Sequence, residues 1–382
     1  MLIVNAPARD ELLRQFVHNC FLQNIDSIKP IQGDAGLRSY FRVHSGGKTY
    51  IAMDCPPTYC STQPFIRMAD YLQSLDFSAP KIIYQDTDQG FLILEDFGNV
   101  SIKNYLLNIV SDTKPVIPVL PVIQRSTKCD VGIQTPKSSE AKSSQKLDPY
   151  VGLRPPLDDG GGVSGNHSER KRIYRLIIDL LVSLQEKDRP DGLLEYDNQV
   201  LQAELESFVQ WYIPHIYKRT LKPQELEEFN IIWQNILAKQ ILIPASIVLR
   251  DYHVENMMYL EKRQGLKQLG LLDFQDALWG SPIYDLVSVL EDARFDVPRS
   301  EALEYLEYFA QKKELDIESI LLNYHILGAQ RNSRILGVFA RKAARDGEMG
   351  YLQYIPRVLE YLEYDLSHAT LEPIKQWLEK LR

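Results

Sequence analysis

The sequence predicts an α+β molecule in two unequal lobes, a small β-rich N-terminal lobe and a large helical C-terminal one. Three observations predict it. Short runs that alternate apolar and polar residues crowd the first hundred positions. Helical spacing returns at Glu169 and holds nearly to the C-terminus. Within that helical part, two apolar runs each end abruptly on a carboxylate, Asp251 and Asp273.

The elements follow in order. In residues 9–23, Leu12, Leu13, Phe16, Val17 and Cys20 fall at helical spacing. SYFRV and TYIAM alternate about SGGK, which predicts a hairpin turning on Gly46 and Gly47. Residues 64–75 open on a proline and place Phe65, Met68, Ala69 and Leu72 on one helical face. KIIYQD and GFLILEDFG add two strands. The N-lobe is thus expected over 1–97, with a hinge near Glu95–Gly98, and the C-lobe over 98–382. Residues 111–168, rich in Pro, Ser, Lys and a GGG run, keep neither period and read as a disordered insert. Beyond it, 170–185, the tract 198–239 and most of 283–382 are expected to be helical.

Composition narrows the function. At 382 residues and 45% hydrophobic the chain can bury a large core. Its formal net charge of −8 argues against nucleic acid or an anionic membrane as partner. The four cysteines, Cys20, Cys55, Cys60 and Cys129, show no zinc spacing and are expected as free thiols in a reducing, cytoplasmic setting. No apolar run is long enough to cross a bilayer. The residues name no protein partner.

The chemistry sits in VLRDYHVENMMYL and GLLDFQDALWG. Asp251 and Asn256 stand five apart in an R-D-x-x-x-x-N pattern, and Asp273 ends the next apolar run. Buried carboxylates are costly unless paired or metal-bound. Hard oxygens gathered this way suit Mg²⁺ with a phosphate. In a phosphoryl-transfer layout the first Asp meets the acceptor hydroxyl, while the Asn and second Asp hold the metal. The ordinary alternative is that all three are turn and cap residues after strands.

On these stretches, and on GDAGLRSYFRV, YIAMDCPP, GFLILEDFG, YDLVSVLEDAR and LGAQRNSRILGVFARKAARDGEMGYLQYIPRVLEYL, the chain resembles a known group. It is similar to the aminoglycoside phosphotransferase and sugar-kinase branch of the protein-kinase-like fold, and within it to the bacterial N-acetylmuramate/N-acetylglucosamine anomeric kinases. The resemblance spans nearly everything outside 111–168. It implies a kinase that uses ATP and Mg²⁺ on an amino sugar from cell-wall recycling. Asp251 would be the catalytic carboxylate, with Asn256 and Asp273 on the metal. Backbone around Glu95, Asp96 and Phe97 would hold adenine, and Asp285 would brace the catalytic loop.

The chain departs from the protein-kinase pattern in places. Only Gly33-Asp34-Ala35-Gly36 stands where a longer glycine loop is usual, Met53 occupies the usual lysine position, and helix 65–75 has no Glu. Arg38, Arg42 or Lys48 is expected to neutralise the phosphates instead. HSGGKTY lacks the first glycine of a P-loop and precedes a strand, so it reads as the hairpin. His253 and Glu255 do not have zinc-site spacing; His253 either braces the loop or touches substrate. Glu204, Phe208 and Trp211 share one helical face, which makes Glu204 and Trp211 substrate-rim candidates and core packing the plainer reading. Arg331, Arg334, Arg341, Lys342 and Arg345 either line a cleft or form a solvated face. Two other readings stay open: a phosphotransferase for an aminoglycoside, choline-like or other small alcohol, and a non-catalytic nucleotide-binding scaffold.

Overall fold

The computed structural model describes residues 9–22, 24–31, 38–111 and 164–381. The Gly33–Gly36 motif, Cys129 and most of the expected insert lie outside them. Six positions expected in the insert, 111 and 164–168, are helical instead.

The N-lobe is one five-stranded antiparallel sheet, in the order β1-β2-β3-β5-β4. Its strands are β1 (Ile25–Ile31), β2 (Ser39–Ser45), β3 (Lys48–Asp54), β4 (Ile82–Asp86) and β5 (Phe91–Glu95). The strand period of two sends alternate residues to opposite faces. Val43, Ala52, Phe91 and Ile93 pack on Leu13 and Val17 of α1 (Arg9–Phe21). Met53, Leu92 and Leu94 face α2 (Gln63–Ser74) and merge with the core of the C-lobe. The Gly46–Gly47 turn takes positive φ at both residues, as the hairpin reading requires. In this lobe the strand that sequence reading passed over is β1, which holds Pro30. Proline donates no ladder hydrogen bond and is tolerated there because β1 is an edge.

The C-lobe begins with α3 (Ile102–Ser111) and α4 (Ser164–Gln185), followed by β6 (Glu195–Tyr196) and α5 (Asn198–Glu204). A π-helical turn over Phe208–Tyr212 leads into α6 (Ile213–Tyr217) and α7 (Pro223–Leu237). Then come β7 (Ser246–Val248), β8 (Met257–Tyr259), β9 (Leu269–Leu271) and β10 (Leu278–Gly280). The chain closes with α8 (Ile283–Leu290), α9 (Arg299–Lys313), α10 (Ile317–Arg345), α11 (Ile355–Asp365) and α12 (Glu372–Leu381). β8 and β9 form a two-stranded antiparallel hairpin, while β7 pairs with β10. α10 is the spine: Asp316 caps its start by accepting from the Ser319 N–H, and α8, α9, α11 and the π turn pack around it.

Two local expectations change. Glu204, Phe208 and Trp211 do not share a helical face, because α5 ends at Glu204 and the chain restarts as the π turn. Phe208 is thereby rotated into the core, stacked on Tyr212 and Phe229. Cys55 and Cys60, expected as free thiols, are bonded to each other. The turn in which Pro56 O accepts from the Tyr59 and Cys60 amides brings their Cα atoms to 5.7 Å. Cys20 is free. No helix among the described residues is long and apolar enough to cross a membrane.

Candidate active site

The first catalytic candidate is placed by a strand that is prevented from continuing. β7 is wholly buried, and the two amides after it, Leu249 and Arg250, donate to the carboxylate of Asp285 at 2.6 and 2.8 Å. Ser288 Oγ then donates to the Arg250 carbonyl at 3.1 Å. Arg250 takes φ +69°, a left-handed conformation that an L residue holds only where its surroundings enforce it. The chain turns sharply there, and Asp251 leaves the sheet.

The loop then closes on itself. The His253 amide donates to Asp251 O at 3.0 Å, and the Asn256 amide to His253 O at 2.9 Å. Asn256 Nδ2 reaches back to Asp251 O at 3.0 Å. The five-residue step is thus one compact turn that sets the two side chains beside each other. β8 follows at once and pairs Met257 with Leu271 of β9, so Asp273 emerges next to Asn256. Asp273 Oδ2 lies 3.4 Å from Asn256 Nδ2, and its Oδ1 accepts from Gln275 Nε2 at 2.7 Å. Asp273 too has positive φ, +56°. Phe274 stacks on Phe65 of α2 with ring centroids 5.1 Å apart, tying this turn to the N-lobe.

The two carboxyls are shifted in opposite directions. Burial pushes Asp251 up, but Arg334, His253, Arg331 and Arg250 together outweigh it and leave the carboxyl below its ordinary range. Burial raises Asp273; its Gln275 hydrogen bond and Arg38 oppose the rise, while Asp251 and Asp276 add to it. Asp285, 0% exposed, is pushed up to about 7 by burial against its two backbone donors. Burial lowers His253, whose Nε2 lies 3.3 Å from Asn256 Nδ2.

The divalent cation expected here fits this donor set. Asp273 is an acid held high by burial and by a second acid, in reach of an amide, which is where added positive charge is favoured. Among the described residues no three His, Cys, Asp or Glu side chains group to hold a metal by themselves. One or two protein oxygens completed by phosphate oxygens is the manner in which Mg²⁺ is commonly held.

The remaining candidates scatter around this centre. Arg38 is the basic group that acts on Asp273 and Tyr40, and its buried Nε has no partner. Arg42 is held instead at the lobe junction: it pairs with Asp96 at 2.7 Å and donates to the Gly98 carbonyl and Asn99. Lys48 is exposed at the hairpin turn, and Met53 is fully buried. Glu95 pairs with Arg263 at 2.5 Å, whose guanidinium also lies 5.2 Å from the Phe97 ring centroid. The Phe97 edge covers Gly270, where a Cβ would come within 2.7 Å of it.

The C-lobe candidates divide. Glu204 is not an open rim: it accepts from Tyr196 Oη at 2.6 Å and from Arg250, and its Oε2 lies 3.4 Å from Arg334 Nε. Trp211 is half-buried against the core, with no hydrogen bond to the cluster. Glu255 belongs to no metal pair, being held by Lys103 and by Arg294 at 2.9 Å. The α10 run splits too. The charges of Arg331 and Arg334 help hold Asp251 low, whereas Lys342 and Arg345 pair with Glu348 and Asp346. Arg331 donates to Ser288 Oγ at 2.9 Å and so reaches the Asp251 turn. Sequence reasoning did not single out Arg331 and Arg334 from that run. The i, i+3 spacing was the available signal, but spacing alone gives a face and not what the face meets.

Known proteins resemble most of this chain. The phosphotransferase enzyme family matches residues 147–317. A Caulobacter vibrioides protein described as N-acetylmuramate/N-acetylglucosamine kinase is 30% identical, over 91% of this chain and 90% of its own. A Pseudomonas aeruginosa protein of the same description is 28% identical over 87% of this chain and 82% of its own. In structure, choline kinase LicA from Streptococcus pneumoniae superposes with a TM-score of 0.56 at 14% identity, over 93% of this chain and 99% of that one. At that identity the likeness speaks for the fold alone.

Proposed function

The chain belongs to the phosphotransferase enzyme family and is an ATP-dependent kinase with a hydroxyl acceptor, and on that premise we propose that its acceptor is the anomeric hydroxyl of N-acetylmuramate, N-acetylglucosamine or both. The observation that carries the acceptor is the description of the Caulobacter relative, which matches nine-tenths of the chain. The observation that supports the chemistry is the pairing of an ionised Asp251 with the Asn256–Asp273 pair across one closed turn.

Asp251 orients the anomeric hydroxyl and takes its proton as the sugar oxygen bonds to the γ-phosphorus. The bond from that phosphorus to the β,γ-bridging oxygen breaks, and ADP leaves. Asn256 and Asp273 would hold Mg²⁺, which when bound would neutralise charge on the phosphates. The Asn256 Nδ2 contact with Asp251 O leaves the amide oxygen for the cation. Arg38 stands in for the missing lysine, which its unpartnered Nε and its place beside Asp273 support. Arg42 and Asp96 shape the turn on which the adenine-binding backbone of Glu95–Phe97 rests. His253 and Asp285 hold the loop. Positioning and charge neutralisation supply the rest of the rate.

Phosphorus NMR of the protein with Mg-ATP and each sugar tests this. An acid-labile phosphate resonance coupled to the anomeric proton is expected. ATP binding without transfer to either sugar, or transfer only to kanamycin or choline in parallel tubes, overturns it.

A further inference from the structure

Arg250, Arg331 and Arg334 all act on Asp251, and Glu204 is the carboxylate that touches two of them. Asp285 adds little balance, since it is pushed up to about 7 and already accepts two backbone amides. Arg331 is 4% exposed, yet its Nε and Nη1 have no partner, and Arg250 Nε is likewise buried and unpartnered. The Arg334 side chain stays 20% exposed and rests one edge on Glu204, with no hydrogen bond from its Nη atoms among the described residues. Unpaired buried donors on cations are costly and call for an anion.

The side on which these groups lie points to which anion. Arg38 acts on Asp273, and the α10 arginines act on Asp251. Asp251 is the group that meets the acceptor. Resting on the acceptor proposed above, we infer that Arg334, backed by Arg331, forms a seat for a carboxylate carried by the acceptor sugar. N-acetylmuramate carries such a group, on a C3 lactyl ether two ring carbons from the anomeric centre, and N-acetylglucosamine has none. Arg presents a planar fork that matches a carboxylate. Anchored on Glu204, that fork is fixed before the sugar arrives. The seat therefore selects the acid sugar over the neutral one at the same catalytic centre.

The test is kcat/KM for three acceptors in wild type, Arg334→Gln and Arg334→Lys: N-acetylmuramate, its methyl ester and N-acetylglucosamine. The ester keeps the bulk of the lactyl group and loses its charge. Wild type should prefer the acid to the ester, and Arg334→Gln should shrink that preference on the order of tenfold or more, with Lys partly restoring it. A loss shared equally by all three sugars assigns Arg334 to Asp251 or the phosphoryl group and overturns the seat. An unchanged acid-to-ester ratio also overturns it. Failure of the acceptor reading looks different, because wild type would then phosphorylate none of the three.

Discussion

Two clusters of buried acids hang on neighbouring residues of α10, and they are kept in opposite states. Arg331 reaches the Asp251 turn through Ser288. Its neighbour Asn332 turns the other way and donates to Glu291 at 2.6 Å and Asp365 at 3.0 Å. Asp251 has three guanidiniums near it and lies below its ordinary range. Glu291 is pushed up to about 8 by burial and by Asp365, and Asp365 is held well above its usual value by its own burial. Burial is common to both clusters. The difference is the balance of partners: three arginines outweigh burial at Asp251, whereas at Glu291 burial and a second acid outweigh the Asn332 amide and one arginine, Arg299, 3.9 Å away. The first cluster holds its acid charged, and the second joins α8, α10 and α11 through acids that burial pushes towards the protonated form.

Breaking the charged cluster should have the largest effect. Asp251→Asn keeps the shape of the turn and removes the proposed proton acceptor. Turnover should fall by about 10²–10⁴, while the affinity for ATP, read by fluorescence titration, stays within a few-fold. A similar loss of both would place Asp251 in nucleotide binding instead.

Gly337→Ala probes how the charged cluster is supported. Its Cβ would come within 2.2 Å of the Ser207 backbone, which cannot yield as a side chain does. The π turn would be pushed off α10, and the Glu204 anchor sits three residues before Ser207. A loss of about 1–3 kcal/mol in chemical denaturation is expected, with a lowered kcat in the molecules that remain folded.

Gly328→Ala is the matching change on the protonated side, since its Cβ would meet the Asp365 carboxylate at 2.6 Å. Stability should fall by a smaller amount, about 1 kcal/mol, because a side-chain tip can shift. The rate per folded molecule should be unchanged. A fall in kcat as large as that of Gly337→Ala would mean that the clusters are not separable.

Glu291→Gln sharpens the comparison through pH. The folded state raises Glu291 from 4.5 to about 8, so its contribution to stability is complete below 4.5 and is lost as pH rises towards 8. Thermal unfolding of wild type should therefore lose stability across that window, and the variant should lose less. Parallel curves for the two proteins would show that Glu291 does not carry the slope.

Much of this was legible without coordinates. Alternation predicted the Gly46–Gly47 hairpin, and helical spacing predicted α2, because each pattern reports the burial of one face by one local element. The Asp251–Asn256–Asp273 set was legible for a related reason: short spacing after apolar runs limits where the side chains can go. β1 was hidden by Pro30, whose cost depends on whether the strand is an edge. The Glu204–Trp211 face was read as continuous because nothing local announces a π turn. That turn is seated where Gly337 lets the Ser207 backbone approach α10, a contact between residues far apart in sequence. Local patterns and short spacings lie in the sequence itself, since they depend on neighbours along the chain. Which arginine of α10 meets Asp251, that Arg42 is bound to Asp96, and which buried acid keeps its charge were decided only by the tertiary structure, because each depends on burial and on partners brought from other elements.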